Sequence, residues 1–111
     1  MKLTDETYDE IAVVSIQGEL TVDEIDAFTR KIDELTDKDV RDFVLDLESL
    51  DFVDSRGLET LLWLQESAGE RLGQVRLVSP NESVVKILEI TRLEHHFDAF
   101  DDVDSAVRSL R

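Results

Sequence analysis

The sequence predicts an α/β fold: a mixed, mostly parallel sheet of about five strands, about four helices, and an antiparallel β-hairpin at one edge. Short β-branched apolar runs alternate along the chain with segments in which apolar residues recur every three or four positions. Strands that alternate with helices are usually parallel and are joined by right-handed crossovers. With 111 residues, 41% of them hydrophobic, the chain can form one core and is too short for two. We therefore expect a single domain over residues 1–111.

The first half of the chain predicts two strands, a helix and a third strand. The polar pair Asp9-Glu10 separates two extended stretches, and Gly18 is expected to end the second of them. In order, the predicted elements are strands over residues 2–7 and 11–17, a helix whose apolar face carries Val22, Ile25, Phe28, Ile32 and Leu35, and a largely buried strand over residues 43–47.

The second half predicts three helices and two strands. Asp102 precedes the last helix as its expected N-cap. The predicted elements are a helix lined by Leu58, Leu61, Leu62, Ala68 and Leu72, a strand over residues 74–79, a helix marked by Val84, Ile87, Leu88 and Leu93, a strand over residues 97–100, and a helix from Val103 to Leu110.

Charge and composition exclude several classes of function. The chain holds 12 Lys and Arg against 27 Asp and Glu, a net charge of -15, so it lacks the basic clusters that bind nucleic acids or anionic membranes. Cysteine is absent, which excludes disulfides, thiolate nucleophiles and Cys-ligated metals. The apolar runs are too short for a signal peptide or a membrane span, so we expect a cytoplasmic protein.

The segment Asp54-Ser55-Arg56-Gly57-Leu58 is the candidate functional turn, because it joins a predicted strand to the second predicted helix. Ser55 has two interpretations. It is well placed as the helix N-cap, and it is also a candidate phosphorylation site, since a helix N-terminus can hold a phosphate. Gly57 is unusual inside a first helical turn, and we expect its missing side chain to let another molecule approach closely.

Four stretches of the sequence carry a resemblance that covers essentially the whole chain. They are Gly18-Glu19-Leu20, Val44-Leu45-Asp46-Leu47, the run from Leu50 through Asp54-Ser55-Arg56-Gly57 to Leu58, and Val85-Lys86-Ile87-Leu88 leading to Leu93. In these stretches the chain resembles the STAS domain of bacterial anti-sigma factor antagonists, the SpoIIAA and RsbV type. The resemblance implies a STAS fold for residues 1–111 and a phosphoacceptor role for Ser55.

The resemblance also implies a mechanism of partner switching. A GHKL-type serine kinase that is also the anti-sigma factor would phosphorylate Ser55, and a PP2C-like phosphatase would reverse the reaction. The unphosphorylated chain would bind the anti-sigma factor and free the sigma factor for transcription. The chain itself would be no enzyme, would need no cofactor, and would be a monomer or a weak homodimer.

The expected partner-binding residues follow from the same resemblance. They are Glu19, Thr21, Asp23, Asp54, Arg56, Gly57, Leu58, Glu59 and Trp63. The family usually has an acidic residue at the position of Thr21, and Asp23 is the candidate substitute. Helical spacing points Trp63 away from the predicted core, either as a partly buried aromatic under a loop or as an anchor for a partner.

The alternative function is that of a STAS adaptor without a sigma pathway, such as the small cytoplasmic subunit of a lipid-transport ABC complex, with Ser55 acting only as an N-cap. Metal binding by His95-His96 is disfavoured because neighbours on an extended chain point to opposite sides. The acids Asp46, Glu48, Asp51 and Asp54 are interpreted as solvated surface. A response-regulator receiver is disfavoured because no acidic pair ends an early strand.

Overall fold

A mixed six-stranded sheet carries three helices on one face and one on the other. The computed structural model describes residues 1–111 throughout. The elements are β1 (Lys2–Tyr8), β2 (Ile11–Leu20), α1 (Ile25–Asp37), β3 (Asp42–Asp46), β4 (Leu50–Val53), α2 (Ser55–Glu70), β5 (Val75–Val78), α3 (Glu82–Ile90), β6 (Asp98–Phe100) and α4 (Val103–Arg108), with 3₁₀ turns at Val22–Glu24 and Glu94–His96.

The strand order is β1-β2-β3-β5-β6, with β4 beside the far end of β2. β1 and β2 form an antiparallel hairpin, and all the other pairs are parallel. The α/β class and the edge hairpin expected from the sequence are confirmed. The carboxyl ends of β2, β4 and β5 lie at the same edge of the sheet, as parallel pairing requires.

The two faces of the sheet form two cores. Because side chains alternate along a strand, Ala12, Val14 and Ile16 of β2 belong to a cluster of 22 buried residues shared with α1, α2 and α3. Ile11 and Val13 of the same strand belong to a cluster of five beneath α4. None of the helices has the length and apolar character needed to cross a membrane.

The carboxyl end of β2 differs from the prediction. Gly18 does not end the strand; it takes a φ of +97°, the pairing register shifts beside it, and β2 continues to Leu20. There it pairs with β4, a strand that was not predicted from the sequence. The simple alternation of a half-buried strand is missing from β4, because Leu50 and Val53 are buried and the two residues between them are exposed.

Four apolar residues assigned to helices from their spacing lie outside them; one of these, Leu110, follows the end of α4. Leu72 follows the end of α2 with a φ of +64° and is 87% exposed. The chain turns here into β5, and a Cβ on the next residue, Gly73, would lie only 2.0 Å from the Arg41 carbonyl oxygen. Val22 lies in the 3₁₀ turn before α1, and Leu93 follows α3. The expected N-cap of α4 is confirmed, since Asp102 accepts the Ser105 N–H at 2.7 Å.

Candidate functional site

The N-terminus of α2 is the candidate functional site. It stands at the carboxyl edge of the sheet, where β4 passes through Asp54 directly into the helix. The end of β2 pairs with β4 at this edge, so the loop that follows β2 lies against the start of α2. Two connections of the chain therefore meet at one place.

Asp54 holds these two connections together through both of its carboxylate oxygens. Oδ1 accepts the backbone N–H of Gly57 at 2.8 Å, and Oδ2 accepts the N–H of Val22 at 2.9 Å. The Gly57 bond is the largest cause of a lowered pKa for Asp54; the N–H groups of Val22 and Arg56 also lower this pKa, and partial burial opposes them. Asp54 is the N-cap of α2 and an anchor for the loop after β2.

Ser55 is not the N-cap, and this corrects one of the two interpretations of that residue. Asp54 has the extended backbone of a cap, whereas Ser55 is the first residue of the helix. The Ser55 side chain is exposed and its hydroxyl makes no hydrogen bond within the chain. The adaptor interpretation therefore loses the structural role that it gave to this serine.

Gly57 and Leu58 face inward rather than toward a partner. A Cβ on Gly57 would lie 2.2 Å from the Leu20 carbonyl oxygen and 2.7 Å from Cγ1 of Val53. The missing side chain lets α2 pack against the ends of β2 and β4, so the expected access for another molecule is wrong. Leu58 is only 8% exposed and belongs to the large core, so its assignment to the docking surface is also wrong.

The remaining expected contact residues surround Ser55 on accessible surface. Glu19, Asp23, Arg56 and Glu59 are exposed, and Thr21 is partly exposed. The Arg56 guanidinium lies 3.9 Å from the Glu59 carboxylate one helical turn away. An exposed pair of this kind contributes little to stability, which leaves both side chains free to exchange partners.

Two exposed apolar side chains at this site were missed by the sequence interpretation. Val22 is 58% exposed and Phe52 is 43% exposed. Val22 was placed on the apolar face of a predicted helix, and Phe52 was assigned to no predicted element. Phe52 is the cross-strand partner of Glu19, and Val22 donates to Asp54, so both lie beside the N-terminus of α2. The only signal in the sequence was the acidic neighbours Asp51 and Asp23.

Trp63 is half-buried against the large core, two turns of α2 beyond Ser55. A shallow depression borders it on each side, one toward α1 and one toward the segment after α3. Its position is compatible with both expectations, the aromatic under a loop and the anchor. His95 and His96 lie in a 3₁₀ turn rather than an extended segment, and no group of three or more acidic or histidine side chains is arranged to hold a metal.

Comparison with known proteins gives consistent results at the level of family and fold. The model of the STAS domain family matches residues 2–106. A protein of Thermotoga maritima described as an anti-sigma factor antagonist is 26% identical over 104 residues, which is 93% of this chain and 92% of that protein.

Two solved structures show the same fold. The crystal structure of an anti-sigma factor antagonist of Thermotoga maritima has a TM-score of 0.90 and 23% identity, covering 98% of this chain and 94% of the other. The phosphorylated form of the Bacillus cell fate determinant SpoIIAA has a TM-score of 0.78 and 20% identity, covering 99% of this chain and all of the other.

The packing of Gly57 predicts opposite effects for two glycine substitutions in α2. Gly57→Ala is expected to destabilise the protein by about 2 kcal/mol or more, because a backbone carbonyl and a buried side chain stand where the methyl group would go. Gly69→Ala is the matched control. No atom lies within 4 Å of its added Cβ, so it is expected to stabilise by about 0.5–1 kcal/mol. Urea unfolding measures both; equal effects would contradict this account of Gly57.

The lowered pKa of Asp54 predicts a contribution to acid stability. A carboxylate with a lowered folded pKa stabilises fully above its ordinary pKa of 3.8, and this contribution is lost as pH falls through the folded value. Asp54→Asn should therefore flatten the fall in unfolding free energy between about pH 5 and pH 2. The control Asp51→Asn removes an exposed carboxylate that accepts no hydrogen bond, and should follow the wild type. An unchanged profile in Asp54→Asn would refute the role of this group.

Proposed function

The chain belongs to the STAS domain family, and we propose that it acts as an anti-sigma factor antagonist whose binding to its partner is controlled by phosphorylation of Ser55. The observation that carries the proposal is the state of the Ser55 hydroxyl. It is exposed, makes no hydrogen bond within the chain, and stands at the first position of a 16-residue helix whose cap is supplied by another residue. A modification at this oxygen removes no structural contact.

The proposed cycle has two covalent steps, both catalysed by partners. An anti-sigma factor that is also a GHKL-type serine kinase transfers the γ-phosphoryl group of ATP to Ser55 Oγ, which loses its proton as ADP leaves. A PP2C-like phosphatase hydrolyses the phosphoester and releases inorganic phosphate. Between these steps the unphosphorylated chain holds the anti-sigma factor and the sigma factor is free. The chain contributes the acceptor hydroxyl and the binding surface.

The surroundings of Ser55 explain how a phosphate would weaken binding. A phosphoserine adds about -1.5 to -2 charges. The Gly57 N–H, which an anion at a helix N-terminus would otherwise use, is already held by Asp54, and that carboxylate lies beside the new charge. A phosphate on Ser55 therefore gains no bond from the Gly57 N–H, and a partner that covered this turn would have to remove water from the new charge.

We define the docking surface as the accessible residues around this turn. It comprises Glu19, Thr21, Val22, Asp23, Phe52, Asp54, Ser55, Arg56, Glu59 and Trp63. Gly57 and Leu58 support it from below. Its centre combines the apolar Val22 and Phe52 with nearby carboxylates, so it fits a partner that offers an apolar side chain flanked by Lys or Arg. The net charge of -15 would speed the approach of such a partner.

Phosphate mapping tests the acceptor. After incubation with ATP and a GHKL-type kinase encoded beside this gene, mass spectrometry should find the phosphate on Ser55, and Ser55→Ala should remain unmodified and bound to the kinase. Ser55→Asp should weaken binding by about 1–3 kcal/mol. Ser83, an exposed serine in the first turn of α3, is the matched control and should carry no phosphate. Phosphate on any other residue, with Ser55 unmodified, would reject the assignment.

The apolar centre of the docking surface gives a second test. Phe52→Ser should weaken binding of the unphosphorylated chain to the anti-sigma factor about tenfold or more, because an interface anchor is lost. Ile90→Ser is the control. This side chain is 74% exposed but lies at the C-terminal end of α3, away from the carboxyl ends of the strands where the docking surface lies. Calorimetric titration measures both. Equal affinity of Phe52→Ser and wild type would exclude Phe52 from the interface.

A further inference from the structure

The outer edge of β1 is an unpaired β-strand edge. The sheet has two edges, and the one at β6 is only three residues long. β1 has seven residues, all paired on one side with β2, and no other segment of the chain hydrogen-bonds to its backbone. Such an edge presents a row of free N–H and C=O groups that another strand can pair with.

The two faces of β1 differ in whether their side chains already have partners within the chain. On the face toward α1, Leu3 packs on the core and Asp5 pairs with Lys31 at 3.1 Å. On the other face, Lys2, Thr4 and Glu6 are exposed and alternate along the edge. Lys2 makes no ion pair within the chain, and the one hydrogen bond of the Glu6 carboxylate is accepted from the hydroxyl of Tyr8, the next residue on this face.

Charge pairing favours Thr4 over Asp5 or Glu6 as the centre of an antiparallel pair between two copies of this edge. In a two-fold antiparallel pair that continues the sheet, opposite side chains share a face, so one residue must lie opposite itself. With Thr4 on the axis, Lys2 of each copy faces Glu6 of the other, and two ion pairs form. With Asp5 or Glu6 on the axis, like charges face each other, and parallel in-register pairing sets Lys2 against Lys2.

We propose that the chain forms a weak, reversible homodimer through antiparallel pairing of β1 with β1 of a second copy, with Thr4 on the two-fold axis and Lys2 opposite Glu6. Only residues 2–6 pair across the axis, and each copy carries a net charge of -15, so the association is weak. β2 separates this edge from β4 and α2, and the two Ser55 turns point in opposite directions along the combined sheet. Both docking surfaces remain accessible in the dimer.

Charge reversal tests the register with the protein alone. Sedimentation equilibrium at protein concentrations up to the millimolar range should show a monomer–dimer equilibrium for wild type. Lys2→Glu and Glu6→Lys should each weaken the dimer about tenfold or more, because each turns two attractive pairs into repulsive ones. The double variant Lys2→Glu/Glu6→Lys restores opposite charges and should regain wild-type association.

Two controls separate the edge from net charge. Lys38→Glu and Glu70→Lys make the same changes in net charge at exposed positions of other elements, and should leave the dissociation constant within about threefold of wild type. A wild type that stays monomeric overturns the proposal. So does an equilibrium in which Glu6→Lys changes the dissociation constant no more than Glu70→Lys does, or one that the double variant fails to restore.

Discussion

The carboxylate of Asp54 is the interaction on which the arrangement of the site depends. One oxygen fixes the first turn of α2 through Gly57, and the other fixes the loop after β2 through Val22. The bond from Val22 joins residues that are 32 positions apart in the sequence. Because both oxygens accept backbone N–H groups, the geometry is defined without any contribution from the neighbouring side chain. Ser55 is thereby left at the helix end with its hydroxyl unused.

Because Asp54 caps the helix, phosphorylation of Ser55 would leave the helix cap intact. A hydroxyl that capped the helix would lose its bond to the backbone on modification, and the helix end would then change its stability with every cycle. Here the cap is supplied by Asp54, and the core contacts of Gly57 and Leu58 lie on the inner side of the turn. The proposed docking surface would therefore keep its structure when the Ser55 hydroxyl is modified.

Local patterns predicted the elements whose signals are contained within a few residues. The extended apolar stretch after the polar pair Asp9-Glu10 identified β2, and Asp102 was recognised as a cap because it directly precedes the apolar repeat of α4. The cap of α2 could not be assigned in this way, since Asp and Ser are equally good caps and stand side by side. The bond from Gly57 makes Asp54 the cap, and a second bond, from Val22, holds that carboxylate in place across two connections of the chain. Gly57 was misread for the same reason, because the obstacle to a side chain is the carbonyl of Leu20.

The role of each carboxylate likewise depends on its position in the fold, which the acidic composition alone does not give. Asp42 is buried and satisfied, since Oδ2 accepts from the Arg41 guanidinium at 3.0 Å and Oδ1 accepts the Gln74 N–H at 2.9 Å. Such groups join strands and are unavailable to a partner. Glu19 and Asp23 remain exposed beside apolar side chains. An apolar contact excludes water, and charges at its rim then discriminate between partners more strongly than isolated surface charges do. If the proposed docking surface binds a partner, its specificity is expected to depend on the exposed acids near Val22 and Phe52 rather than on the total charge of the chain.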